Sequence, residues 1–290
     1  MRLASSKQHF QDWFTQQWAI LWGRRIIPGH VSWLMGPFGK PGIIADDFVY
    51  ELAENEGLII QRDNKKVGLI TSVKKLNLPE NDLKRLSAEV IYFYENTGEF
   101  SLSFQVKWNP LFKFLGRLVN AFFSKRIDQL NVPMKNSEGS KQIKSEIITL
   151  SDPVTGNIKY TVWYRTFKMT SKVLYSGVYS ICKLPAGQNC IKAVFPLPNG
   201  NATVIMSPMV GKNGELCLKS YGGKFSEPGF YFLLNDAKGE FWAQYISSFR
   251  DQLVVSCYEG NLQAQQTLTL WGLKVVQFNY YIQKTNQPCL

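Results

Sequence analysis

The sequence predicts a mainly β, α+β protein: one large antiparallel sheet closed into a barrel or folded into a sandwich. One amphipathic helix is expected to cover it, and a helical segment to precede it. Three observations carry this. Strand-like runs recur every 8–12 residues from position 146 onward and are separated by turn dipeptides, the spacing of an antiparallel barrel or sandwich. Residues 100–108 alternate Phe100, Leu102, Phe104, Val106 and Trp108 against Ser101, Ser103, Gln105 and Lys107, as a half-buried strand does. Residues 110–124 then switch to spacings of three and four, through Leu111, Phe112, Leu115, Leu118, Val119, Phe122 and Phe123.

The elements follow in chain order. Over 7–25, Phe10, Trp13, Phe14, Trp18, Leu21 and Trp22 share one helical face, and Arg24 and Arg25 sit where cations suit a helix C-terminus. Residues 28–42 are a Gly/Pro loop. Its Gly39-Lys40-Pro41 is not a phosphate loop, because proline replaces the required Ser or Thr and removes a backbone donor. Residues 45–55 read as a short helix and 79–86 as another. Residues 57–62 and 66–73 read as strands around Asp63-Asn64-Lys65, and 88–108 as a hairpin turning at Asn96-Thr97-Gly98. Asn109-Pro110 opens helix 110–124, whose apolar face should lie across the sheet. Polar residues 134–145 form a loop.

The strands expected after it are 146–150, 158–167, 173–184, 189–196, 202–210, 215–220, 229–235, 240–248, 252–258, 262–271 and 274–283. Two units result: 1–87, helical or mixed and packed on the core, and 88–290, the β domain.

Composition narrows the function classes. Hydrophobic residues are 45% of the 290, an ordinary globular fraction that can fill a sizeable core. The net charge of +11 is spread in short doublets, which makes a cationic surface rather than a nucleic-acid-binding tail; nucleic acid is not an expected partner. Five cysteines without a CxxC pair, four of them inside expected strands, argue for buried thiols in a reducing compartment. With no continuous apolar run, the reading points to the cytoplasm, with the inner face of a membrane as the second expectation. Only His9 and His30 exist, and neither sits in a metal or triad pattern. No catalytic residue, metal ligand or cofactor is assigned, and an enzyme is not the favoured reading. Arg250-Asp251 reads as a turn ion pair between strands.

The informative residues are polar groups on faces that should be dry. Gln266 falls with Ala264 and Leu268, Tyr245 with Phe241 and Ala243, Tyr280 with Phe278 and Ile282, and Arg165 with Trp163 and Phe167. Buried polar groups need partners, and apolar cavities use a few such groups to orient a ligand. The expected function is therefore non-catalytic binding of a hydrophobic or lipid-like small molecule. The alternatives are an enzyme of unassigned type, or a surface formed by Trp13, Trp18, Trp22, Arg24 and Arg25 that meets a partner protein or an anionic membrane.

Overall fold

The computed structural model describes residues 20–40, 47–112 and 141–285. Among these, fourteen strands form one antiparallel sheet, in the order β1-β11-β10-β8-β7-β6-β5-β4-β3-β14-β13-β12-β9 with β2 beside β4, and a β8–β9 pairing closes ten of them, from β8 round to β9, into a barrel. The closure lies in β8 (Gly200–Val210). Its first half pairs with β10 (Gly229–Asn235), while Ser207 to Val210 pair with β9 (Leu216–Lys219). One strand thus belongs to the barrel along its whole length and also launches a side sheet of β10, β11 (Phe241–Ile246) and β1 (Arg24–Ile26). Closure leaves the barrel strands no free edges.

Each expected strand after residue 146 exists: β4 (Lys141–Ser151), β5 (Ile158–Phe167), β6 (Val173–Lys183), β7 (Asn189–Leu197), β12 (Phe249–Tyr258), β13 (Asn261–Leu270) and β14 (Leu273–Lys284), with β8 to β11 as above. In β3 (Phe100–Trp108) the alternating residues Phe100, Leu102, Phe104, Val106 and Trp108 are all buried in the interior.

Five expectations are corrected. Residues 141–145, read as the end of a loop, belong to β4, where the long strand pairs with β3 and β5. Residues 88–95 are not a strand but helix α3 (Ala88–Glu95), so no hairpin spans 88–108. Their Val, Ile, Tyr and Phe have high β propensity. Tertiary packing overrides it, because Ser87 Oγ caps the helix by accepting from Val90 N–H while Val90, Phe93 and Tyr94 bury one face. Residues 66–73 form an irregular stretch leading into a 3-10 helix, Val73–Leu76, and not a strand. Arg24 and Arg25 lie in β1, paired with Ala243 and Trp242, and do not end a helix. Arg250 and Asp251 are inside β12, paired with Thr269 and Leu268, and do not make a turn.

Expected helices at 45–55 and 79–86 match α1 (Asp47–Glu56) and α2 (Glu80–Arg85), and the strand at 57–62 is β2 (Ile59–Gln61), which pairs with β4. Only Pro110, Leu111 and Phe112 of helix 110–124 fall among the described residues, and they are helical; the rest of its apolar face, and Trp13 and Trp18, lie outside them.

Three apolar clusters hold the parts together. The barrel interior, with α3 and residues 69–86 at one end, is the largest. Phe48, Val49 and Ala53 of α1 pack outside the wall on Ile148, Leu150 and Val162. The side sheet packs Trp33, Leu34 and Ile26 against Tyr231 and Leu233. Each such large apolar side chain contributes about 1.5–3 kcal/mol on burial. The barrel has two ends. At the lower end β3 begins and α3 plugs the interior. At the upper end β3 and β5 finish and β12 and β14 begin.

Candidate functional site

An internal cavity of about 80 Å³ lies between the plug and the upper end. Apolar residues line most of it: Leu69, Phe93 and Tyr94 from the plug, and Ile191, Val204, Val255 and Ile282 among others from the wall. Strand parity turns a polar group into this cavity from each of four strands: Asp251 from β12, Gln266 from β13 and Tyr280 from β14, and Arg165 from β5 across the barrel.

Arg165 is 6% exposed. Its guanidinium is layered between two rings, 4.0 Å from the Trp163 centroid and 4.6 Å from that of Tyr175. Trp163 is itself fixed, donating from Nε1 to Ser145 Oγ at 2.8 Å. Delocalised charge and weak hydration make guanidinium the cation that tolerates such a place. The hydroxyls of Tyr179 and Tyr280 lie within its hydrogen-bonding reach. Burial raises the phenols of Tyr175, Tyr179 and Tyr280 above their ordinary range, so they stay neutral donors.

Asp251 is 5% exposed. Its Oδ2 accepts from Gln266 Nε2 at 2.7 Å, and Gln266 Oε1 accepts from the Tyr280 hydroxyl at 3.3 Å. Its backbone N–H donates to Ser220 Oγ at 2.7 Å, which pins the strand at that point. Burial pushes the carboxyl up to about 7, against a smaller opposite effect from the Gln266 hydrogen bond. Two atoms of this cluster have no hydrogen-bond partner among the described residues: Asp251 Oδ1 and Arg165 Nε. Above the polar layer, Phe104 lies 6.2 Å from both Phe167 and Phe278, and Phe230 lies 5.0 Å from Phe249.

Three residues singled out in the sequence, Arg165, Gln266 and Tyr280, therefore meet at one cavity. Tyr245 does not join them. It packs in the side sheet, 5.0 Å from the Tyr231 ring and against Gly229. Asp251, Tyr175 and Tyr179 escaped the sequence reading. The signal for Asp251 was its parity with Leu253 and Val255, visible once β12 is begun three residues earlier, at Phe249. Trp22 is 75% exposed, and Arg25 pairs with Glu240.

The arrangement supplies a fixed cation, a carboxyl that changes charge near neutrality, and phenolic donors within an apolar wall. No group of three or more His, Cys, Asp or Glu suited to a metal occurs among the described residues. His30 is exposed in a 3-10 helix, Pro28–Val31. None of the helices described is long and apolar enough to cross a membrane.

No protein-family profile matches the chain, and no solved structure does. Over 273 residues, 91% of this chain, it is 23% identical to a protein of Bacillus subtilis (strain 168) named "Uncharacterized membrane protein YndJ". The chain spans about half the length of that curated relative, 48% of it.

Proposed function

We propose that the barrel is a binding module for a small amphipathic molecule whose polar head sits between Arg165 and Asp251. The observation that carries this reading is the pair of unpartnered atoms, Arg165 Nε and Asp251 Oδ1, which face one cavity from opposite sides of the barrel. A buried polar atom without a partner costs about 1–3 kcal/mol, more when charged. A ligand with one acceptor and one donor removes both penalties at once, and the apolar wall receives its body.

Size sets the ligand class. A dry cavity of about 150 Å³ takes a benzene ring. The 80 Å³ here suits a head group and a few carbons. A longer, lipid-like chain fits only if the aromatic side chains above the polar layer part. The printed name of the Bacillus subtilis relative favours a setting near a membrane, where amphipathic molecules partition.

The test is native mass spectrometry of protein purified without detergent, followed by calorimetric titration of propionate and propionamide, which match the cavity's size. Saturable one-to-one binding of at least one probe, weakened about tenfold or more by Arg165→Met, supports the reading; the lost charged hydrogen bond sets that factor. No co-purified mass and no heat from either probe would overturn it.

A further inference from the structure

At the upper end, strand connections place four exposed apolar side chains along one arc of the rim. Met169 is at the β5–β6 turn and 97% exposed, Leu111 follows β3 at 81%, Trp271 lies in the β13–β14 turn at 73%, and Leu273 opens β14 at 55%. The nearest strands of the two turns, β5 and β14, are three spacings apart through β4 and β3, roughly 15 Å along the rim at about 4.8 Å per strand. The same arc carries exposed Lys107, Lys168, Lys172, Arg250 and Lys274. Among the described residues of this arc, segments 105–112, 166–173, 247–252 and 268–276 contain one carboxylate, Asp251, and it is buried in the cavity.

The contrast with other faces of the molecule is specific. At the lower end cations stand beside carboxylates, as in Lys84–Glu80, Arg85–Asp82 and Lys284–Glu99. Across the barrel Glu240, on the β10–β11 turn, is held by Arg25. On the arc Lys274 donates to the neutral Gln277 Oε1, at 3.1 Å, and Arg250 lies over the Tyr221 ring.

The β13–β14 turn is also built against local preference. Trp271 has φ +50° and Gly272 φ +79°. Both central residues are in the left-handed region, as a tight hairpin turn requires. Asn, Asp or Gly occupies the first position at little cost, whereas a bulky residue costs about 1 kcal/mol or more there. The chain accepts that cost to hold an indole at the outermost point of the barrel.

We infer that this arc is a docking face for an anionic lipid bilayer: Trp271, Leu273 and Met169 enter the interface, and the five cations lie over the headgroups. Aromatic and aliphatic tips flanked by Lys and Arg have the chemistry of an interfacial anchor. Trp22, the described tryptophan of the stretch 7–25, lies away from this arc, since it leads into β1 at the far side of the side sheet. Docking stands apart from ligand binding, but it turns the aromatic closure of the cavity toward the lipid.

The test uses the full chain in vesicle co-sedimentation, with phosphatidylcholine alone and with phosphatidylcholine mixed with phosphatidylglycerol. Binding only to the anionic vesicles is expected. The triple variant Lys168→Gln, Lys172→Gln, Lys274→Gln should weaken it about 100-fold, from roughly fivefold per cation near the surface. Trp271→Ser with Leu273→Ser should abolish it with unchanged far-ultraviolet circular dichroism, since all five positions are exposed. Equal binding to neutral vesicles overturns the proposal. So does anionic binding that survives both variants, or binding lost through Trp13→Ala and Trp18→Ala instead. Retention of an oligonucleotide with no vesicle binding also overturns it.

Discussion

Replacing Asp251 with asparagine tests the central electrostatic feature of the cavity. The carboxyl is enclosed, with one hydrogen bond from Gln266 and an unpartnered Oδ1, and burial raises it from an ordinary 3.8 to about 7. The native state therefore holds this proton more tightly than the unfolded chain does. Stability from this group is fully present below about pH 4 and is lost as pH rises through about 7. At 1.36 kcal/mol per pH unit, the loss by about pH 8 is roughly 4 kcal/mol. The amide that replaces the carboxyl has no such proton to lose, and its carbonyl still accepts from Gln266. Its N–H groups face the cavity, which returns about 1 kcal/mol of cost. Asp251→Asn should thus be about 3 kcal/mol more stable than the parent at pH 8, and slightly less stable at pH 4. At about 2 °C per kcal/mol for a chain of this size, the melting temperature should rise by roughly 6 °C at pH 8. Thermal melts followed by circular dichroism across that range read the difference directly, and subtraction removes the other titrating groups. Identical melting of the two proteins at pH 8 would show that the carboxyl is solvated, and the electrostatic argument would fall.

Gly68→Ala should destabilise the plug by about 2–3 kcal/mol, read from the urea midpoint, because its Cβ would meet Tyr94 O at 2.1 Å and backbone cannot yield as a side chain does. Arg62→Met should cost about 2 kcal/mol in the same assay. It strips the guanidinium that donates to Glu146 at 2.8 and 3.2 Å and leaves a 5% exposed carboxylate without that partner. Cys182 and Cys190, opposite each other in β6 and β7, are pushed up by burial to about 11 and about 12. Neither should react with iodoacetamide in the native protein at neutral pH, and both should react on unfolding, as peptide mapping would show.

Strand existence was legible because a closed antiparallel wall imposes a period of two on nearly every segment, and β5 and β10 begin and end where that period does. The same period brought Arg165, Gln266 and Tyr280 to the inner face before any pairing was known. What stayed hidden is set by partners distant in sequence. Nothing local in Val90-Ile91-Tyr92-Phe93-Tyr94 distinguishes a plug helix from a strand until the barrel end it fills exists; the Ser87 cap was the one local clue. Tyr245 obeys the same alternation as Tyr280, but β11 lies in the side sheet, so its inner face looks onto another core. Parity assigns a face and leaves open which of two cores that face meets.

The pairing of β14 with β3 joins residues 276–284 to residues 100–108, and β14 also holds β13 on its other side. During synthesis on the ribosome, β3 waits unpaired on that side while some 165 residues emerge. Until then the wall is an open curved sheet with two hydrogen-bonding edges, β3 and β13. Long-range closure of this kind is slow, and open edges recruit neighbouring chains. A chain cut before residue 273 is therefore not a slightly shortened barrel but a sheet with adhesive margins. Premature termination should direct it to aggregates, whereas loss of residues from the exposed turns should leave it soluble.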